Sequence, residues 1–195
     1  SVAIQSTDPE VLKNIERKNV PDQTVGEIIK FADSHVGSSF SEVILCLPGD
    51  TLEKHNKSMC DMVDRGANVV RSHQLLLLPD SLMYTKNYRK KYGMETRFRL
   101  QPQCFGNFKL YSETFSSAEI DEVCISNNTM SYEDYLKSRL FDLTVEIFYN
   151  NGVFREYINL LNQYGINAST LIEKINREIP QSSLKKLYAG FLKEN

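Results

Sequence analysis

The chain has 195 residues, 41% of them hydrophobic and 25% charged, with 9 Gly, 6 Pro and a net charge of −2; these values exclude collagenous and broadly disordered classes and give no field that would gather nucleic acid or an anionic membrane surface. No apolar run approaches the roughly 20 residues of a membrane helix. The start shows no basic segment leading into an apolar stretch and a cleavage site, so a cytoplasmic protein is expected. Cys46, Cys60, Cys104 and Cys124 stand far apart, in neither a CxxC pair nor a zinc pattern, and read as reduced thiols.

Strands and helices alternate up to about residue 80, as in parallel βαβ units. Val2-Ala3-Ile4 is a short apolar strand, and Asp8-Pro9 supplies an N-cap and a first helical residue for a helix from Pro9 to about Lys18. Thr24 with Glu27 caps a second helix reaching Ser34. Glu42 to Cys46 is a buried strand that runs into the turn Leu47-Pro48-Gly49. Asp50 with Glu53 is a capping box for a helix to about Arg65, and Asn68 to Leu78 reads as a third strand. A tyrosine-bearing helix ends at Gly93, a strand follows near Thr96 to Leu100, and a hairpin passes through Gly106 to Tyr111. From Ser116, which with Glu119 forms another capping box, the chain reads as helical, with a long helix from Tyr132 to Tyr149 and shorter ones punctuated by Gly165 and Pro180.

The expected class is therefore α/β: residues 1–80 carrying three parallel strands with their helices, residues 81–115 a connecting helix and short hairpin, and residues 116–195 a mostly helical C-terminal extension. Three strands are too few to close a (β/α) barrel. Either they form a small open sheet, or the chain is the carboxyl-terminal part of a larger protein whose upstream portion covers the first strand; the second is favoured, because an exposed strand edge invites aggregation.

Several segments, in this order, resemble the second half of the TIM-type barrel of radical S-adenosylmethionine enzymes, in the cobalamin-domain branch that includes the anaerobic magnesium-protoporphyrin monomethyl ester oxidative cyclase. Ala3-Ile4-Gln5-Ser6 with Asp8 to Lys13 and Arg17 is similar to that barrel's fourth strand and helix. Glu42 to Thr51 is similar to the fifth, where the family has Gly-Leu-Pro-Gly-Glu-Thr, and Gln74 to Pro79 to the sixth. Tyr92 to Arg99, Cys104-Phe105-Gly106 and Asn128 to Tyr135 resemble the tail of cobalamin-type members. Cys46 stands where the family has Gly, and Asp50 where it has Glu.

The resemblance implies a cofactor-positioning surface. Gln5, Ser6 and Arg17 would hold the methionine part of S-adenosylmethionine, Arg17 through a two-bond fork to the carboxylate. Glu42 would accept from the ribose hydroxyls, Leu47, Pro48 and Gly49 would line the adenine, and Gln74 and Leu76 would lie near the same pocket. It further implies S-adenosylmethionine, a four-iron four-sulfur cluster and cobalamin in the parent enzyme, none of them expected bound to this fragment: the CxxxCxxC motif that holds the cluster is absent from these residues. The parent would be an oxidative cyclase or a methyltransferase acting on a tetrapyrrole or other organic substrate, with this chain alone inactive. The alternative is a non-catalytic interaction module that retains a degenerate half-barrel and associates with a partner, a second copy of itself included, through the first strand.

Plainer readings stand beside these. Gln5 and Ser6 suit turn chemistry before a helix, Glu42 an exposed strand edge, and Arg17 a solvated helix. His35, His55 and His73 fall in no metal-ligand spacing. Tyr84, Tyr88 and Tyr92, among Lys86, Arg89, Lys90 and Lys91, form an aromatic core face with a basic solvent face rather than a nucleic-acid stripe.

Overall fold

The computed structural model describes residues 2–35 and 38–194. Its first half builds a three-stranded parallel sheet in the order β1-β2-β3, from β1 (Val2–Ala3), β2 (Phe40–Leu45) and β3 (Val69–Gln74). Ala3 pairs with Glu42, and Glu42 in turn with Arg71. Beyond the formal end of β1, Ile4 donates to the Glu42 carbonyl and Ile44 to the Gln5 carbonyl, so the first strand remains attached as far as its turn.

The helices between the strands cover one face. Asp8 accepts from the N–H groups of Glu10 and Val11 at 3.0 Å each, starting α1 (Pro9–Asn14). This helix is four residues shorter than the expectation of Lys18, because Glu16 takes a left-handed φ of 56° and Arg17 turns its N–H back to the Leu12 carbonyl. α2 (Asp22–Ser34) contributes Val25 and Ile29, and α3 (Leu52–Asp64) contributes His55, Ser58, Met59, Met62 and Val63. The cap of α3 is Thr51, whose Oγ1 accepts from Lys54 N, rather than the expected Asp50. Asp50 turns inward to take the N–H groups of Cys46 and Thr51.

After β3 comes a short 3-10 turn at Leu82–Tyr84 and then α4 (Lys86–Tyr92), stopped by Gly93 in the left-handed region at φ 58°. Tyr88 and Tyr92 are buried on it, while Tyr84 remains 42% exposed. The next segment departs from the sequence reading. β4 (Glu95–Leu110) and β5 (Glu113–Ser126) form one long antiparallel ribbon, so residues 116–126 are strand, not helix. Cross-strand partners override the local capping signal of Ser116 and Glu119. Phe108 stacks on Phe115 with centroids 5.8 Å apart, Arg99 reaches Asp121, and Arg89 of α4 forks onto Glu122 at 2.5 and 2.7 Å. The base of β5 joins the body through Leu77 N to Glu122 O and Cys124 N to Leu75 O.

The tail is helical from there. Ser131 caps α5 (Tyr132–Val145), which continues as one π turn over Glu146–Asn150 instead of running as α-helix to Tyr149. Asn150 then closes the outer edge of β3, its carboxamide accepting from Val70 N and donating to Val70 O, both at 2.8 Å. α6 (Arg155–Gln163), α7 (Ala168–Glu178) and α8 (Lys185–Glu194) complete the chain, with a 3-10 turn at Ile179–Gln181 carrying Pro180. One core joins the helix-covered face of the sheet to α3, α5 and α7 through Ile4, Val43, Met59, Met62, Val70, Phe141 and Ile172. A second, around Leu45, Leu47, Leu75, Cys124, Met130 and Tyr135, sits at the carboxyl end of the strands.

Candidate functional site

The two faces of the parallel sheet differ. Ile4, Ser41, Val43, Leu45 and Val70 are buried beneath the helices. By the two-residue alternation of strands, the opposite face carries Gln5, Glu42, Ile44, Arg71 and His73. That face is half open to solvent: the Glu42 side chain is 37% exposed and His73 52%. His73 Nε2 donates to Glu42 Oε1 at 3.0 Å, and the Arg71 guanidinium lies over the Phe40 ring at 5.2 Å. A parallel sheet is ordinarily covered on both faces, so this polar row is the surface on which a ligand or a further layer can sit.

At the carboxyl end of β2 the chain turns through Cys46, which takes a left-handed φ of 70°, into Leu47-Pro48-Gly49-Asp50, all of it buried. Every carbonyl of that turn is already held. Asn127 Nδ2 donates to Cys46 O (3.3 Å) and Leu47 O (3.1 Å), Asn14 Nδ2 to Pro48 O (3.1 Å), Lys54 Nζ to Gly49 O (3.0 Å) and Thr129 Oγ1 to Asp50 O (2.6 Å). Gly49 has φ 86°, and a Cβ there would lie 2.4 Å from Asn14 Nδ2, so the close approach of a neighbouring side chain explains the glycine. The turn is rigid and prebuilt. Its N–H groups at Leu47 and Gly49 are the backbone groups that take no partner among the described residues.

Beneath the turn lies a buried charged chain. Asp50 is 1% exposed, and burial pushes its carboxyl up to about 6 despite the pull of nearby His55. His55, also 1% exposed, places Nε2 2.8 Å from Asp142 Oδ1 of α5 and Nδ1 3.9 Å from Asp50 Oδ2. Burial alone would lower the imidazole pKa, but Asp142 and Asp50 outweigh it and the net shift is upward. Beside the same turn, Cys46 and Cys124 sit with sulfurs 3.8 Å apart, both free, and the neighbouring thiol together with burial holds Cys46 protonated.

The residues singled out in the sequence are divided by this geometry. Gln5 and Glu42 share the open face. Ser6 is 2% exposed and is committed to structure, its Oγ accepting from Asp8 N at 3.1 Å and meeting Ser58 Oγ at 3.3 Å. Arg17 is exposed on a cleft of about 530 Å³ that it shares with Lys13, Lys18 and Asn19. Asn19 donates to Ser6 O at 2.7 Å, drawing that cleft towards the strand end, and its Oδ1 is buried without a partner. Leu47, Pro48 and Gly49 form the locked turn. Gln74 is not brought to Gln5 and Glu42: it lies on the helix-facing side in register with Leu45, hydrogen bonded to Tyr135 and Arg99. Leu76 bridges to Val123 of β5. Asn127, Asp142 and the pairing of His73 with Glu42 are absent from the sequence reading, because each depends on contacts across 31 to 87 residues.

No family model matches the chain. It is similar to the cobalamin-dependent radical SAM methyltransferase TokK of Streptomyces tokunonensis, 24% identical over 177 residues, covering 89% of this chain and 25% of that protein. It is also similar to the 2-(S-pantetheinyl)-carbapenam-3-carboxylate methyltransferase of Streptantibioticus cattleyicolor, 23% identical over 199 residues, covering 96% of this chain and 28% of that protein. The likeness is distant but extends along nearly the whole chain, and supports the cobalamin-dependent radical SAM branch. The chain spans about a quarter of the length of the curated relatives it matches. No helix among the described residues is long and apolar enough to cross a membrane.

Proposed function

We propose that this chain is a carboxyl-terminal part of a cobalamin-dependent radical SAM enzyme of the methyltransferase type, its parallel strands one wall of a (β/α) barrel that holds S-adenosylmethionine. The observation that carries the reading is the half-open polar face where Gln5 and Glu42 stand together above a prebuilt turn. Glu42, already oriented by His73, would accept from ribose hydroxyls. The buried Leu47-Pro48-Gly49 turn would form the rigid floor beneath the adenine. Arg17, exposed on the cleft it shares with Lys13, Lys18 and Asn19, suits an amino-acid end, its guanidinium taking the carboxylate. The residues present fit that nucleoside.

They do not fit the iron-sulfur cluster: no set of three His, Cys, Asp or Glu gathers to hold a metal among the described residues. Its ligands and the cobalamin would come from the rest of the polypeptide, the partner this reading requires. Both relatives are methyltransferases by name, which favours methyl transfer over the oxidative cyclisation that the resemblance first suggested. The test is saturation-transfer NMR on this chain with S-adenosylhomocysteine at millimolar concentration. Transfer to the ribose protons is expected and should vanish in Glu42→Gln but persist in Glu53→Gln. No transfer, or transfer indifferent to Glu42, refutes the reading.

A further inference from the structure

The buried pair of α3 and α5 points to a role for a histidine that nothing above uses. We propose that His55 is a positioning residue for the Leu47–Gly49 turn: as an imidazolium shared by Asp142 and Asp50, it latches the turn to α5. This rests on the reading of that turn as the nucleoside-facing one, although none of its tests uses a nucleoside.

The geometry carries it. His55 is fully enclosed, yet it is not given a neutral environment: one ring nitrogen bonds a carboxylate at 2.8 Å, and the other is buried, without a hydrogen-bond partner, 3.9 Å from a second carboxylate. A neutral imidazole has one N–H to donate, and would leave either Asp142 or Asp50 facing a ring lone pair. With both carboxyls ionised, the doubly protonated ring is the form that suits both acids. Asp50 is also the residue that takes the Cys46 and Thr51 N–H groups at 3.3 and 3.0 Å, so the charge on His55 acts one side chain away from the backbone of the turn.

The charged groups that act on the ring come from the turn (Asp50) and from α5 (Asp142 and, in opposition, Arg139). Lys54, on the same helix, is committed to Asp8 and Glu10. α7 meets α3 further along, at Cys60 and Asp64. On β3, Arg71 and His73 lie on the sheet face away from α3. Burial opposes the charge and the two carboxylates restore it, with a net upward shift of the imidazole.

The experiment is NMR on the full chain. Imidazole nitrogen shifts are expected to show His55 doubly protonated at pH 7, and the Cys46 and Thr51 amides should titrate with the His55 midpoint. In Asp142→Asn the ring keeps an acceptor but loses a charge, and that midpoint should fall by at least about one pH unit, a tenfold loss of proton affinity. In His55→Gln the two turn amides should shift and lose the step at the His55 midpoint, keeping only the one that belongs to Asp50, which accepts from both, while methyl signals of Met59 and Met62 stay in place. A variant that merely lost packing would move the methyls and not the titration. A neutral ring at pH 7, or turn amides that ignore the His55 midpoint in the parent chain, overturns the proposal; the Asp142→Asn arm decides it should His55→Gln fail to fold.

Discussion

Replacing Asn127 by alanine tests whether the turn is held by side chains reaching across the molecule. Asn127 is 8% exposed and spends its whole carboxamide. Its Oδ1 accepts from Thr129 N (2.9 Å) and Met130 N (3.0 Å), and its Nδ2 donates to the Leu47 and Cys46 carbonyls (3.1 and 3.3 Å). Truncation leaves two amide donors and two carbonyls short of a partner in a largely dry site. Each orphaned buried group costs on the order of 1–3 kcal/mol, but the Leu47 carbonyl keeps Asp50 N and the Thr129 segment can relax towards water, so the net loss should be about 3 kcal/mol. With a urea m value on the order of 2 kcal/mol/M, the unfolding midpoint would fall by roughly 1.5 M. Asn128→Ala, next in sequence but exposed, should change stability by less than about 0.5 kcal/mol. Equal effects of the two substitutions in urea unfolding followed by circular dichroism would show that the carboxamide is not what holds the turn.

Three further outcomes are expected. Gly49→Ala places a Cβ against Asn14 at a left-handed φ, and should cost about 1–3 kcal/mol in the same assay. A cost under about 0.5 kcal/mol would mean that the turn can rearrange. Asp50 has a folded-state pKa raised to about 6 from an ordinary 3.8, so the native chain binds this proton more tightly than the unfolded one. Its stabilising contribution is present below about pH 4 and disappears as pH rises through about 6, up to roughly 3 kcal/mol for a shift of about 2 units; Asp50→Asn should flatten the stability profile across that window, and an unchanged slope contradicts the assignment. Arg89→Lys loses the fork that holds Glu122, an acid whose pKa the guanidinium lowers and whose side chain is 10% exposed. A loss of about 1–2 kcal/mol, poorly rescued by the retained charge, is expected in thermal unfolding, and full stability in Arg89→Lys would rule out a role for the fork.

Signals confined to a few residues were legible in the sequence. Asp8-Pro9 opens α1 and Gly93 closes α4, because caps and left-handed stops are settled by immediate neighbours. The strand starting near Glu42 was legible for the same reason, as an apolar run ended by Pro-Gly. The ribbon was only half legible. Thr96 to Leu100 reads as strand on its own, whereas Ser116 to Ser126 offers a helix cap locally and becomes strand through Arg99, Arg89 and the partner residues of β4. The site follows the same division. Glu42 is conspicuous before the turn, but its partner His73 belongs to the next strand, and the amide that locks the turn lies about 80 residues away.

The edges of the sheet decide how the half-open face can be covered. At β3 the outer edge is partly occupied: Asn150 supplies both hydrogen bonds of a strand neighbour to Val70, and β5 takes the chain beyond Gln74 through Leu76 and Leu77. No such substitute is seen along β1 among the described residues, where the sheet order ends. A strand that extended this sheet would find β1 the freer edge, and in the proposed barrel a twisted sheet grown from that side would curl towards the face bearing Gln5 and Glu42. The polar row would then face inward, with Glu42 already tied to His73 and the Arg71 charge resting on an aromatic ring. Among the described residues Arg71 has no carboxylate partner and rests on Phe40, so burying that guanidinium would favour an anion on whatever encloses it.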